Sequence, residues 1–216
     1  AVPYPKKVIV FSPHPDDDVI SMGGTLRRLC DQHHDVHVCY ETSGNIAVGD
    51  DEVIRYCEYL RDVCDRITPK GNQVKDEAEK IIKYLRYEKK DNGEPERKDV
   101  LFMKGTIRRE EARHACRYSG VKDDHVHFLD LPFYETGLVK KHDLGEADKD
   151  VVKNILLEIK PDEMFVAGDL ADPHGTHKVC LDAVLAAIDE VKDEEWLKKC
   201  RIWMYRGAWA EWEIDH

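Results

Sequence analysis

The sequence predicts a doubly wound α/β fold with a mostly parallel sheet. Three observations lead there: short apolar runs rich in β-branched residues recur along the chain, helical periodicity separates them, and chemistry-bearing residues cluster just beyond two of the runs. The first run, Lys7 to Ser12 (KVIVFS), is nearly all apolar, the pattern of a strand buried on both faces. A helical pattern covers Val19 to about His33, and Val36 to Thr42 (VHVCYET) reads as the second strand. Strand, helix, strand in that order is a βαβ unit, which builds parallel sheets through right-handed crossovers.

After Ser43-Gly44-Asn45, Asp51 stands where it could cap a helix running to about Cys64, and Val74 to Tyr87 is amphipathic. Lys89 to Lys98 (KKDNGEPERK) has no periodicity and reads as an exposed loop. A helical pattern from Asp99 to Tyr118 stops at Gly120, and Val126 to Leu131 (VHFLDL) is the third strand. Pro132 ends that strand and opens a loop to about Gly145. In the next helix Val151, Val152, Ile155, Leu156 and Ile159 share one face, and Pro161 ends it. Met164 to Gly168 is the fourth strand, a helix burying Cys180, Val184, Ala187 and Ile188 follows, and Arg201 to Tyr205 (RIWMY) is the fifth strand.

Composition narrows the function classes. Apolar residues make up 42% of the 216, with nine Tyr, five Phe and four Trp, enough for a proper core. A net charge of −11 disfavours nucleic acid and anionic membranes as partners, since both call for basic surface. No apolar run approaches the ~18 residues of a membrane span, and the opening residues show no signal-peptide pattern. Seven scattered cysteines (30, 39, 57, 64, 116, 180 and 200) contain no C-x-x-C pair, so buried thiols in a reducing, cytoplasmic setting are expected. The expected organisation is a single domain, 1–216, excised from a longer chain.

Two motifs carry chemistry. Ser12-Pro13-His14-Pro15-Asp16-Asp17-Asp18 follows the first strand, with prolines holding the chain extended on either side of His14. Asp16 and Asp17 then fall at a helix N-terminus, where carboxylates are favoured. Asp172-Pro173-His174-Gly175-Thr176-His177 follows the fourth strand. In a doubly wound sheet these two strands are neighbours at the switch point, so the motifs converge. Two imidazoles and a carboxylate would supply three ligands for a divalent metal, leaving a position open for water, and a second carboxylate could take that water's proton.

On these residues the chain resembles the LmbE/PIG-L family of N-acetylglucosaminyl deacetylases, whose fold is Rossmann-like. The likeness covers Pro13 to Asp17 with Gly23-Gly24-Thr25-Leu26, the Thr42-Ser43-Gly44 turn, Arg108 and Glu111 with Ala115 and Gly120, and His174-x-x-His177. It implies that His14, Asp17 and His177 ligate Zn²⁺, that Asp16 is the general base, and that His174 stabilises the oxyanion or acts as the acid. It also implies a sugar contact at Arg108 supported by Glu111, although these two could instead form a surface pair. Ser43 and Asn45 would lie on the substrate side, and Asp172 would support the second motif. Asp18 is expected to be structural.

The chain departs from the family pattern twice. Many members carry His-Pro-Asp-His where Gly175-Thr176 stand between the histidines here, and many carry Glu where Asn45 stands. The insertion from Thr68 to Lys98 also looks longer than in compact members. The implied reaction is hydrolysis of the acetamide of an N-acetylglucosamine-type sugar, with Fe²⁺, Co²⁺ or Mn²⁺ also acceptable to a His₂Asp site. The run FSPHPDDDVISMGGTL looks like LmbE-type domains joined to glucosamine-6-phosphate deaminase-like domains, so a fused deaminase-like domain is an expected partner, and a homo-oligomer stays open. The alternative is a non-catalytic metal- or sugar-binding regulatory domain. Lys104, Arg109 and Arg206 are candidate phosphate contacts or solvated charges. A dinucleotide site is disfavoured, because the first strand–helix turn lacks G-x-G-x-x-G and carries three Asp.

Overall fold

A computed structural model describes residues 4–67, 73–90, 93–168 and 175–207. Five strands form one sheet: β1 (Lys7–Ser12), β2 (Asp35–Tyr40), β3 (Val126–Phe128), β4 (Glu163–Ala167) and β5 (Arg201–Tyr205). The order is β3-β2-β1-β4-β5, and every pairing is parallel. Among the described residues the α-helices are α1 (Asp17–Asp31), α2 (Asp50–Ile67), α3 (Gln73–Lys83), α4 (Lys98–Ser119), α5 (Glu146–Ile159) and α6 (Thr176–Glu190). The chain divides into two compact units, one of residues 1–43, 109–135 and 141–216, the other of 44–108 and 136–140.

The first unit holds the sheet, and strand alternation sorts its core into two layers. Ile9 and Phe11 of β1 face a cluster built with Val152, Leu156, Cys180 and Val184 from α5 and α6. Val8 and Val10 face the opposite cluster, with Met22 and Leu26 of α1 and Ala112 and Cys116 of α4. All four strand residues are completely buried, so the unbroken apolar run of β1 follows from helices on both faces. Burying side chains of this size stabilises by about 1.5–3 kcal/mol each. The second unit packs Val53 and Cys57 of α2, Ala78 and Ile81 of α3, and Val100 and Ile107 of α4 into its own cluster. No disulfide joins the cysteines, and among the described residues no helix is long and apolar enough to cross a membrane.

Element edges shift where local geometry overrides periodicity. Helix α1 begins at Asp17 instead of Val19, because the Asp16 carbonyl already accepts the Val19 and Ile20 N–H groups at 3.1 and 2.9 Å. Strand β3 stops at Phe128 instead of Leu131, since Asp130 adopts φ +47°. The Leu129 and Leu131 N–H groups still bond the Tyr40 and Glu41 carbonyls, each at 2.9 Å. The amphipathic segment from Val74 closes as a π-turn over Tyr84–Glu88. Gly120 stops α4 with φ +93°, where a Cβ would lie 3.1 Å from the Cys30 Cβ.

A histidine cluster lies on the amino-terminal half of the sheet. The rings of His37 (β2) and His125 (the turn before β3) stack with centroids 4.0 Å apart, and His37 Nδ1 lies 3.0 Å from His127 Nε2 on β3. Burial first, and then the neighbouring His125 and His127, push the His37 imidazole down to about 4. An unfolded His37, at about 6.5, therefore binds a proton between pH 6.5 and 4 that the folded one refuses, and stability falls as pH drops through that window.

Two outcomes are expected. Gly120→Ala should cost about 1–2 kcal/mol by urea denaturation, from the strained φ and the Cys30 contact. Between pH 7 and 5, with chelator present, wild type should lose about 1 kcal/mol more than His37→Gln. Equal losses would remove His37 from the acid sensitivity.

Candidate metal centre and active site

The site forms at the carboxyl ends of β1 and β4, the neighbouring strands from which the chain winds in opposite directions. The turn after β1 is fixed by its own hydrogen bonds. The Ser12 hydroxyl donates to the His14 carbonyl at 2.6 Å and accepts from the Asp18 N–H at 3.0 Å. The Thr42 hydroxyl donates to the Pro13 carbonyl at 2.7 Å, which ties the turn to the end of β2. Asp17, the first residue of α1, turns its carboxylate back so that Oδ2 accepts the His14 N–H at 2.9 Å. The same oxygen lies 3.2 Å from His14 Nδ1.

His177 enters from α6. Gly175 precedes that helix with φ +71°, a conformation a side chain would resist, and Thr176 and His177 follow it fully buried. His177 Nε2 lies 3.3 Å from His14 Nδ1, its partner 163 positions earlier in the chain, and 3.2 Å from Asp17 Oδ2. Three donor atoms thus form a triangle with edges of 3.2, 3.2 and 3.3 Å. A tetrahedral ion with ligands at about 2.0–2.1 Å has ligand–ligand edges of about 3.3–3.4 Å, so this donor set fits a divalent metal. Burial alone would raise the Asp17 carboxyl. Hydrogen bonds to His14 and His177, and the charges of those rings, outweigh it and hold the group well below the usual carboxylate range.

The surroundings separate structural from available groups. Asp18 is buried and accepts the Tyr40 hydroxyl at 3.0 Å, and desolvation raises it to about 6, so it braces the turn as expected. Asp16 is half-buried at the start of α1, its N–H given to the His14 carbonyl at 2.8 Å. The ring of Tyr134 meets His14 edge-on at 5.9 Å, and Lys141 sits over Tyr134 at 4.8 Å while donating to the Thr176 hydroxyl. Lys141 therefore reaches the residue that immediately precedes His177 on α6.

The predicted residues separate by where they lie. His14, Asp17 and His177 come together, with Asp16 on the same turn. Ser43 closes its stretch of the first unit, buried, its N–H bonded to Glu135 Oε1 at 3.0 Å, and Glu111 lies on α4 in that unit. Asn45, also buried, and Arg108 belong to the second unit. His174 and Asp172 lie outside the described residues. The phosphate candidates Lys104 and Arg109 are held by carboxylates, Lys104 by Asp50 at 2.8 Å and Arg109 by Asp130.

Sequence reasoning missed Glu41. It is 2% exposed at the end of β2, and burial, then the charge of Asp17, raises its carboxyl to about 8, so it is largely protonated near neutrality. The available signal was a carboxylate directly after the largely apolar run VHVCY.

Comparison with known proteins follows the same lines. Residues 9–188 match the family described as GlcNAc-PI de-N-acetylase, PIG-L. A glucosamine-6-phosphate deaminase-like protein of Bacteroides thetaiotaomicron is 59% identical over 218 residues, covering 100% of this chain and 33% of that protein. The chain therefore spans about a third of the length of this relative. The N,N′-diacetylchitobiose deacetylase structure of Pyrococcus horikoshii aligns with a TM-score of 0.52 at 18% identity, over 92% of this chain and 56% of that one. A 4-carboxy-2-hydroxymuconate hydratase from Pseudomonas putida aligns with a TM-score of 0.51 at 17% identity, over 88% and 59%. These two likenesses concern the fold alone.

The bracing of the turn is open to a direct check. Tyr40→Phe leaves the buried Asp18 carboxyl short of a donor and should cost about 1–3 kcal/mol in chemical denaturation. A change near zero would show that Asp18 does not depend on that hydroxyl.

Proposed function

The chain belongs to the GlcNAc-PI de-N-acetylase (PIG-L) family, and we propose that it is a metal-dependent N-deacetylase acting on an N-acetylglucosamine-type amino sugar or its conjugate. The observation that carries this reading is the triangle of His14, Asp17 and His177 at the switch point, inside the family-matched span and beside a further carboxylate. The deacetylase named among the structural neighbours is consistent with it. We take Zn²⁺ as the metal.

Held by these three side chains, the ion would supply a Lewis-acidic charge for the amide oxygen and an acidified water. Asp16 takes the proton from the attacking water and returns it to the departing amine nitrogen. His174, in its protonated form, donates a hydrogen bond to the oxygen that gains negative charge as the carbonyl carbon becomes tetrahedral. Asp17 holds His14 and His177 in register through one oxygen, and Asp18 keeps the turn that carries both carboxylates rigid. Arg108, Ser43 and Asn45 contact the sugar, with Glu111 supporting Arg108 and Asp172 supporting His174. The chain works as one module of a longer cytoplasmic polypeptide with a deaminase-like neighbour.

Zinc-loaded protein should release amine from at least one of N-acetylglucosamine, its 6-phosphate or N,N′-diacetylchitobiose. Asp16→Asn should keep the metal and lose at least ~10²-fold in rate, and His174→Ala should lose ~10²–10³-fold with metal retained. His177→Ala should lose the metal. Amine release by Asp16→Asn at the wild-type rate would overturn the role of the base, and no release from any of the three sugars would overturn the substrate class.

A further inference from the structure

The histidine cluster at the amino-terminal half of the sheet contains a second donor set that the deacetylase reading does not use. Asp35 opens β2, His37 follows on the same face, and His125 arrives from the short turn Asp123–His125 that leads into β3. Their donor atoms all lie within 4.8 Å of one another. His37 Nε2 is 3.7 Å from Asp35 Oδ2, and His125 Nδ1 is 3.5 Å from Asp35 Oδ1. The register pairs Asp35 with Lys7, at the opposite end of β1 from Ser12, so roughly 17 Å of strand separates this cluster from the first site at about 3.3 Å per residue.

We propose that Asp35, His37 and His125 bind a divalent transition metal of the zinc class, as a staple that pins the turn before β3 to β2. The donor types suit such an ion, two imidazoles and one carboxylate. The two distances run to different oxygens of the Asp35 carboxylate, and with one donor atom from each residue already within 4.8 Å of the others, rotation of these partly exposed side chains would draw the set to the about 3.3 Å edges of a tetrahedral site. As the ion binds, His125 Nδ1 exchanges its contact with the Val36 carbonyl, now 3.2 Å, for the metal.

The outer contact of His37 matches what a metal-bound imidazole requires. A ligating histidine gives its second ring N–H to an acceptor, which fixes ring orientation. His37 has Nδ1 3.0 Å from His127 Nε2, leaving Nε2 facing Asp35. His125 makes no such bond with its Nε2, which lies 3.8 Å from the exposed Asp124 Oδ1, and its Nδ1 faces Asp35. An entry path exists as well, since Asp35 and His125 line an open cavity of about 510 Å³. What the staple would secure is weak on its own: β3 is an edge strand of three residues held by a single pairing.

The test counts metal in the 216-residue chain after chelation, reloading with Zn²⁺ and gel filtration. Wild type should retain two equivalents, and Asp35→Asn with His125→Gln one. His177→Ala should retain one, and the three substitutions together none, with far-UV circular dichroism unchanged throughout. A single equivalent in wild type that His177→Ala abolishes would overturn the staple and leave the deacetylase reading intact. Loss of activity with the second equivalent still bound in His177→Ala supports the staple whatever the sugar proves to be.

Discussion

Much of the described site depends on one carboxylate oxygen. Asp17 Oδ2 accepts the His14 N–H and faces both imidazoles at 3.2 Å, so one atom sets the turn after β1, the direction of His14 and the approach of His177. In water such a group would solvate freely and hold nothing. Buried at the end of a strand covered on both faces, it is stabilised by the hydrogen bonds and charge of its partners, and loss of one partner exposes the full desolvation cost of the other. The prolines on either side of His14 and the Ser12 hydroxyl bonded to its carbonyl serve that same geometry.

Much of this was legible in the sequence. The apolar runs of β1, β2, β4 and β5 mark strands with edges within one or two residues; burial constrains the composition of β1, β2 and β4, whereas β5 is largely exposed and shows itself only by its apolar and aromatic run. His14, Asp17 and His177 were legible from motif placement and family likeness, since they stand just past strands that a doubly wound topology makes neighbours. What was not legible depends on tertiary partners. The early end of β3 follows from the left-handed backbone of Asp130, and nothing in VHFLDL announces it. Glu41 looked like an ordinary strand residue because its neighbours, not its type, make it a protonated acid. Lys141 lies in a loop without periodicity, and only folding brings it to Thr176 and Tyr134.

The sheet also explains how one small unit carries histidines of two kinds. At the carboxyl ends of the strands, imidazoles leave the sheet on turns and meet a carboxylate whose charge survives burial. Elsewhere His37 and His127 stay on the strands themselves, His127 paired with Cys39 two residues beyond His37, and burial first, then neighbouring imidazoles, lower the proton affinity of both rings. The same side chain is recruited as a partner for charge in one place and deprived of charge in the other, by position along a parallel strand.

The ligand triangle has an uneven ancestry in the chain, with two corners three residues apart and the third beyond a distant helix. The near pair would form a chelate that survives local opening of the first turn of α6, because its geometry is written into one turn. Fraying there would leave a two-coordinate stub that grips an ion weakly without releasing its address on the protein. Exchange of the ion would then proceed through that half-open state, at a rate set by how firmly the first turn of α6 is docked and not by the stability of the whole sheet.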